Sequence, residues 1–311
     1  MSRIFNISNQ NRAELLEIPE TAQHVFLYGN RLKRLPKLPP RLVKLHCEGN
    51  ELTELPTLPD TLVELRCDNN PICELPALPA SLLFLFCSGN RLAFLPDLPT
   101  LRELHCSHNV LLTLPRLPDS LITLNCGYNL LQEIPNLPIN LKRFHCEHNE
   151  LSLIPELPES LEVLNCTKNN ISALPKLPDG LRELCFAMNQ VSELQPLPAK
   201  LDILNCTSNQ LTTLPPLPNT LSRFYFTFNP YNSVFEDLLN RSMNVYAVNQ
   251  YHKRRAELAN MLDALSYMKT HLNNRLCEDS LSHIGTILTN MGGTIQNQIQ
   301  WLESEYALFT I

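Results

Sequence analysis

The chain has 311 residues, eleven cysteines, 25 prolines and a formal net charge of −6. This charge gives no global basic field of the kind that binds nucleic acid or an acidic membrane, and the one basic cluster, Lys253-Arg254-Arg255, is typical of a solvated helix face. No run of 18 apolar residues is present, and the first residues lack the apolar core of a signal peptide. We therefore expect a soluble chain, or one exported without a classical leader, with neither nucleic acid nor membrane as a partner.

Residues 1–20 predict an N-terminal cap, because they precede a regular repeat and do not share its full pattern. Ile4, Phe5 and Ile7 supply apolar groups, and residues 11–17 predict a short helical turn. An atypical unit is expected at the end of a repeat array, where the apolar stack would otherwise be exposed.

Residues 21–229 form eleven repeats marked by an asparagine. Of the ten intervals between these asparagines, nine are 20 residues long and one is 19. A fixed period of this length, in the frame L-x-x-L-x-L-x-x-N-x-L, predicts a leucine-rich-repeat solenoid. The marker residues are Asn30, Asn50, Asn70, Asn90, Asn109, Asn129, Asn149, Asn169, Asn189, Asn209 and Asn229.

Each repeat predicts a short strand followed by an extended return. In the second repeat Leu42, Leu45 and Cys47 point inward from the strand. The return carries two prolines three residues apart, which lack an amide hydrogen and exclude an α-helix. The predicted fold is therefore an α/β solenoid: a horseshoe with a parallel β-sheet on its concave face and a polyproline-like convex side, plus a small C-terminal α-helical bundle.

The repeated asparagines are predicted to be structural. The chain bends after each strand and leaves inward-facing backbone groups that need partners. An asparagine side chain offers two donors and an acceptor, so it can bond to its own turn and to the neighbouring coil.

Eight cysteines occupy one inward position, three residues before an asparagine, where Leu27, Phe186 and Phe226 stand in other repeats. Cysteine here replaces an apolar residue as a small buried group, and a stack of free thiols favours a reducing compartment. Side chains on successive parallel strands are about 4.8 Å apart and do not converge tetrahedrally on one ion. We predict no metal and no cofactor. The eight are Cys47, Cys67, Cys87, Cys106, Cys126, Cys146, Cys166 and Cys206.

One outward residue per strand forms a column that is predicted to bind a protein on the concave face. Exposed aromatic and arginine side chains are the types that anchor protein interfaces. Cys185 belongs to the column, and the other members are Phe26, His46, Arg66, Phe86, His105, Asn125, His145, Asn165, Asn205 and Tyr225. The flanking outward residues are predicted to be Tyr28, Phe84, His108, Tyr128, His148, Met188, Arg223 and Phe228.

Two histidine pairs, His105 with His108 and His145 with His148, suggest a metal site as an alternative. The pairs are two coils, about 10 Å, apart. Zinc ligands lie near 2 Å from the ion, so the two pairs cannot share one site, and we interpret them as surface histidines.

Residues 230–311 change in composition, since proline disappears after Pro230 and apolar residues recur at helical spacing. We predict helices over 250–276 and after Ser280, a break at Gly292-Gly293 and a third helix after Thr294, with a shorter helix over 234–239. This helical domain would cover the end of the solenoid or bind a second partner.

The unit Leu-Pro-x-Leu-Pro-x-x-Leu-x-x-Leu-x-Cys-x-x-Asn-x-Leu resembles the short repeat of secreted bacterial effectors of the YopM, SspH and IpaH group, over residues 15–229. The chain departs from that group in placing cysteine where valine is usual. The resemblance implies delivery by a bacterial secretion system into the cytoplasm of a host cell, and a concave face that binds a host protein. Glu303 and Glu305 near an apolar C-terminus resemble a type IV translocation tail.

Some members of this group carry a ubiquitin-ligase domain whose nucleophile lies in a Cys-x-Asp motif. This chain has Cys277-Glu278-Asp279, so the resemblance implies Cys277 as ubiquitin acceptor and Asp279 as its proton-transfer partner. Only 32 residues follow Asp279, whereas the family's catalytic domain is far longer. The alternative is a loop in which Asp279 or Ser280 caps the next helix, and we predict a non-enzymatic interaction protein.

Overall fold

A computed structural model of the chain describes residues 3–231 and eight single residues between 245 and 260. By its internal contacts the chain divides into two compact units, residues 1–249 and 250–311. Twelve strands of three residues lie in the first unit. They are β1 (Ile4–Asn6), β2 (His24–Phe26), β3 (Lys44–His46), β4 (Glu64–Arg66), β5 (Phe84–Phe86), β6 (Glu103–His105), β7 (Thr123–Asn125), β8 (Arg143–His145), β9 (Val163–Asn165), β10 (Glu183–Cys185), β11 (Ile203–Asn205) and β12 (Arg223–Tyr225).

The strands form one parallel sheet in chain order, from β1 to β12. Each strand pairs in register with the next, so that Leu45 faces Leu65 and Leu124 faces Phe144. Every coil therefore adds one strand to the same edge, and equivalent residues of successive coils lie in straight rows. The predicted parallel solenoid is confirmed.

The middle residue of each strand and the residue after the strand point into the solenoid. Leu45 and Cys47 of β3 and its turn are fully buried, as are Leu184 and Phe186 ten strands into the sheet. The eight cysteines of this inward row all have no exposed surface. The prediction that cysteine serves as a buried apolar group is confirmed.

The return segments are extended, and within residues 3–231 no helix lies between the strands. Each return ends in a turn in which an amide donates to a proline carbonyl, from Ala22 in the first return and from a leucine in the later ones, as Leu42 N does to Pro39 O at 3.1 Å. The 19-residue interval shortens this turn by one residue, because Leu101 N donates to Pro99 O at 2.7 Å. The deletion is absorbed there, and β5 still pairs in register with β6.

The repeated asparagines tie each coil to its neighbour. The Nδ2 group of Asn169 donates to the carbonyls of Cys146, Cys166 and Thr167 at 3.0 to 3.4 Å. Its Oδ1 accepts the amide of Leu151 in the preceding coil at 3.0 Å. The two Nδ2 hydrogens are thus shared among three carbonyls, and one side chain contacts four backbone groups that face the interior, in line with the predicted structural role.

A second ladder of side chains was not expected from the sequence. In five coils a serine or threonine just before the first leucine donates its hydroxyl to the carbonyl of the equivalent leucine one coil earlier, at 2.6 to 2.8 Å. The donors are Thr61, Ser81, Ser120, Ser160 and Thr220. These bonds join successive coils at the side where the return segment enters the strand.

Replacement of Ser160 by alanine should lower the free energy of unfolding by about 1 kcal/mol. Its single hydroxyl hydrogen is shared between Leu141 O and Ile139 O, each 2.7 Å from Oγ, and alanine would remove this donor. Urea denaturation followed by circular dichroism measures the effect. Ser152→Ala, at an exposed serine of the same coil, is the control and should leave the midpoint unchanged; equal midpoints for the two variants would contradict the role of the hydroxyl ladder.

The N-terminal segment differs from the prediction. Residues 4–6 form β1, which pairs with β2 and extends the sheet by one strand beyond the eleven asparagine-marked repeats. The short helical turn expected over 11–17 is wrong, because those residues are not helical. Gln10 stands where the marker asparagine would be. The amide of Arg12 donates to Asn30 Oδ1, as the equivalent amides of later coils do to the marker of the next coil, and the amide of Gln10 donates to the same oxygen.

Residues near the end of the first unit close the last return segment. Asn249 Oδ1 accepts the amide of Leu217, and its Nδ2 donates to the carbonyl of the same residue, both at 2.8 Å. Val248 beside it is fully buried. The described residues 245, 248, 249, 252, 253, 256, 259 and 260 are helical, so helical residues occur before residue 250, where the predicted helix over 250–276 begins. The other predicted helices lie outside the described residues, and no helix in the described part is long and apolar enough to cross a membrane.

Candidate functional site

The predicted binding column forms one straight row on the sheet, because each member is the last residue of a strand and faces its neighbour in the pairing register. We call it the central row. Its side chains are partly exposed, and Tyr225 at the end is 53% exposed. The structure thus brings together all the residues predicted for the site. In coil order they are Phe26, His46, Arg66, Phe86, His105, Asn125, His145, Asn165, Cys185, Asn205 and Tyr225.

The first five members of the central row form two contacting groups, Phe26 with His46, and Arg66 with Phe86 and His105. Phe26 meets His46 edge-on with ring centroids 5.0 Å apart. The guanidinium carbon of Arg66 lies 4.4 Å from the Phe86 ring centroid, and Phe86 stacks on His105 at 4.7 Å. These contacts hold each side chain in one orientation before any partner binds.

Glu64 fixes this part of the row from the neighbouring position on the sheet. Its carboxylate accepts from Lys44 Nζ at 2.7 Å, Arg66 Nε at 2.8 Å and His46 Nε2 at 3.1 Å. Burial opposes its ionisation, but the hydrogen bonds from Lys44 and Arg66 outweigh burial and lower the pKa of Glu64 to about 2. The carboxylate therefore stays charged at neutral pH and holds Arg66 through its Nε atom, while the Arg66 side chain remains 42% exposed.

The second half of the central row is mostly neutral. Asn125, Asn165 and Asn205 alternate with His145 and Cys185. Each asparagine Oδ1 accepts the backbone amide two residues later, at 3.2 to 3.3 Å. The three amide groups thus share one orientation.

The residues two positions after the members of the central row form a second row. It includes the carboxylates Glu48, Asp68 and Glu147 and has no lysine, arginine or histidine. Burial raises the pKa of Glu48 and of Asp68. The nearby carboxylate of Asp68 raises the pKa of Glu48 further, because the two negative charges repel each other. Among the described residues, Glu48 Oε2 and Glu147 Oε2 are the side-chain oxygens or nitrogens that are buried without a hydrogen-bond partner. These positions cost stability in the isolated protein.

Glu48→Gln should stabilise the protein at pH 7 by up to about 1 kcal/mol, because the substitution removes a carboxylate whose charged form is disfavoured. The pKa of Glu48 is raised in the folded state. The stability gained by the glutamine variant is therefore complete at pH values above this folded-state pKa and shrinks as the pH falls through it. The gain vanishes below the usual glutamate pKa of about 4.3, where the side chain is protonated in both states. Thermal unfolding at pH 7 and pH 4 tests this. Exposed Glu51→Gln is the control, and a Glu48→Gln protein less stable than wild type at pH 7 would contradict the argument.

Several residues predicted to flank the row on the sheet lie instead in the turn that follows it. His108, Tyr128 and His148 adopt left-handed backbone angles, with φ between 53° and 55°, at the position where earlier coils have Gly29, Gly49, Asn69 and Gly89. Their rings stack at 4.0 to 4.1 Å. This conformation costs a residue with a Cβ atom about 1 kcal/mol.

No group of three or more histidine, cysteine, aspartate or glutamate side chains in the described part of the chain is placed to hold a metal ion. His108 and His148 are instead the outer members of the ring stack with Tyr128. Cys277 and Asp279, the residues of the ubiquitin-ligase alternative, lie outside the described residues.

Solved structures share this architecture. YopM from Yersinia enterocolitica is 40% identical with a TM-score of 0.70, over 71% of this chain and 50% of that one. YopM from Yersinia pestis, described as a leucine-rich effector protein, is 34% identical with a TM-score of 0.65, over 71% of this chain and 70% of that one. InlJ from Listeria monocytogenes, whose functional domain includes a cysteine ladder, is 24% identical with a TM-score of 0.63, over 73% and 53% of the two chains, and shows the fold alone.

Neither a protein-family model nor a curated protein sequence matches the chain. The alignment spans about half the length of the Yersinia enterocolitica protein but more than two thirds of the Yersinia pestis protein at 34% identity. Together with the register of the sheet and the asparagine ladder, this likeness shows that the chain belongs to the leucine-rich-repeat effector family represented by YopM.

Proposed function

We propose that this protein is a non-enzymatic protein-binding module, and that the central row on its concave sheet face binds a host protein. The observation that carries the proposal is the pre-oriented cluster from Phe26 to His105, in which Arg66 is held by Glu64 and Phe86. A surface of exposed aromatic and arginine side chains whose rotamers are already fixed loses little entropy on binding.

The size of the sheet also supports this role. The eleven strands that carry the row extend over about 50 Å at the usual spacing of parallel strands. A standard protein interface buries about 800 Å² on each partner, which such a face accommodates. A further partner of residues 230–311 stays a prediction.

We further propose that the protein acts as a bacterial effector delivered by a secretion system into the host cytoplasm. The Yersinia pestis relative is described as an effector protein, and the inward row of free thiols is compatible with a reducing cytosol.

Affinity capture from host-cell lysate with quantitative mass spectrometry tests the binding role. Phe86, His105 and Tyr225 would be changed together to aspartate. The control changes three apolar residues that are exposed outside the strands, Leu112, Ile139 and Leu153, to aspartate.

We expect the proteins captured by wild type to be retained by the control variant and lost from the central-row variant, with both variants unfolding at the wild-type temperature. If the central-row variant captures the same proteins as wild type, the proposal that the sheet face binds the partner is wrong.

A further inference from the structure

We propose that the second half of the central row binds a segment of the partner in polyproline II conformation, through the amide groups of Asn125, Asn165 and Asn205. The inference rests on the proposed function and specifies the chemistry of the partner. We call these three residues the amide triad.

The amide triad is oriented by the protein itself. Each Oδ1 accepts the backbone amide of Gly127, Thr167 or Thr207 two residues later, which turns Nδ2 away from the backbone. In the described part of the chain these Nδ2 groups have no hydrogen-bond partner, and they are not among the buried atoms without one. The triad therefore presents three donors to solvent.

The spacing of the donors favours one backbone conformation. The register places Asn125, Asn165 and Asn205 on every second strand of the row, so they are about 9.6 Å apart. A polyproline II helix repeats every three residues, with about 3.1 Å per residue and hence about 9.3 Å per turn. Carbonyls at positions i, i+3 and i+6 of such a segment would face the three donors in turn.

Other conformations match less well. In an extended strand, groups on the same side are about 6.8 Å apart, which does not match the spacing of about 9.6 Å between the donors of the triad. An α-helix already uses its carbonyls in internal hydrogen bonds, whereas the polyproline II backbone has no internal hydrogen bonds and leaves its carbonyls to external donors.

The ends and sides of this half suit a proline-rich chain. Tyr225 follows Asn205 in the row and is 53% exposed, and aromatic faces are the usual contact of proline rings. On their own strands, Asn165 and Asn205 have apolar residues at the neighbouring outward position, Val163 and Ile203, of which Ile203 is 9% exposed. The same position carries Arg143, Glu183 and Arg223 on the strands between and beside them, so apolar contacts for proline rings are confined to the strands of the triad itself.

The test is fluorescence anisotropy with a fluorescein-labelled peptide of ten prolines and the full-length protein. A Gly-Ser peptide of equal length is the flexible control. Asn→Asp substitution at the triad keeps the acceptor that holds the side chain and replaces the donor by a second acceptor, so it changes hydrogen bonding with little change in shape. Asn170→Asp, at an exposed asparagine outside the row, is the matched control.

We expect saturable binding of the proline peptide, no binding of the Gly-Ser peptide, an affinity about fivefold lower for Asn165→Asp and about a hundredfold lower for the triple variant. Asn170→Asp should bind as wild type does. Absence of saturable proline-peptide binding, equal binding of the Gly-Ser peptide, or unchanged affinity in Asn165→Asp would overturn the proposal.

The two proposals fail separately. If the proline peptide does not bind while the central-row variant still loses the captured host proteins, the sheet face binds a partner of other chemistry. If the proline peptide does not bind and the central-row variant still captures the host proteins, the proposed binding role of the sheet face is also wrong.

Discussion

Replacement of Asn169 by alanine should lower the free energy of unfolding by about 3 kcal/mol. The side chain is 8% exposed and serves four backbone groups, the carbonyls of Cys146, Cys166 and Thr167 and the amide of Leu151. Alanine leaves these groups facing an apolar interior without partners, and water does not reach them in a close-packed core. Urea denaturation monitored by circular dichroism measures the change.

Asn170, the next residue, provides the matched control. Its side chain is exposed, and its backbone amide donates to Leu151 O at 2.8 Å whatever the side chain is. Asn170→Ala should unfold at the wild-type denaturant concentration. A loss in Asn169→Ala no larger than in Asn170→Ala would mean that the asparagine ladder does not hold the coils together.

The inward cysteines should be unreactive in the folded protein. Burial raises the pKa of Cys106 to about 12, and its side chain has no exposed surface. Cys73 lies outside the inward row and is exposed. Because the thiolate is the reactive form, we expect iodoacetamide to modify Cys106 at least about a thousandfold more slowly than Cys73 at pH 7.5. Peptide mass spectrometry resolves the two sites.

The same reaction in concentrated urea is the control, because unfolding removes the burial of Cys106 and both cysteines should then react at similar rates. Comparable rates in the native protein would show that the inward row opens to solvent, contrary to its packing.

The repeat determined most of what the sequence could predict. A fixed period sets the register, and the register decides which side chains point inward, so the leucine, cysteine and asparagine positions were predictable together. The strand at residues 4–6 was missed because Gln10 replaces the marker asparagine of its coil. The hydroxyl ladder was missed because serine or threonine fills its position in only some coils, where Arg41, Gly180 and Lys200 stand in others.

The composition of the central row was predictable, but its internal contacts depended on neighbouring strands. Glu64 is not a member of the row, and its three partners come from two strands that are adjacent only after folding. The cluster around Glu64 could have been predicted from the in-register pairing of β3 with β4, since this pairing places Lys44 opposite Glu64 and His46 opposite Arg66. No sequence pattern predicts that Glu48 Oε2 and Glu147 Oε2 are buried without a hydrogen-bond partner, because this depends on how the side chains pack.

Photo-crosslinking tests most directly whether the proposed partner binds the sheet face that carries the central row. The photoreactive amino acid benzoylphenylalanine would replace Phe86 in one variant, Tyr225 in a second and the exposed Leu153 in a third, each expressed in host cells and irradiated. We expect the variants with the photoreactive residue at Phe86 and at Tyr225 to form covalent adducts with the same host protein, and the variant at Leu153 to form none. Adducts from Leu153 alone would place the partner on another surface and contradict the proposal.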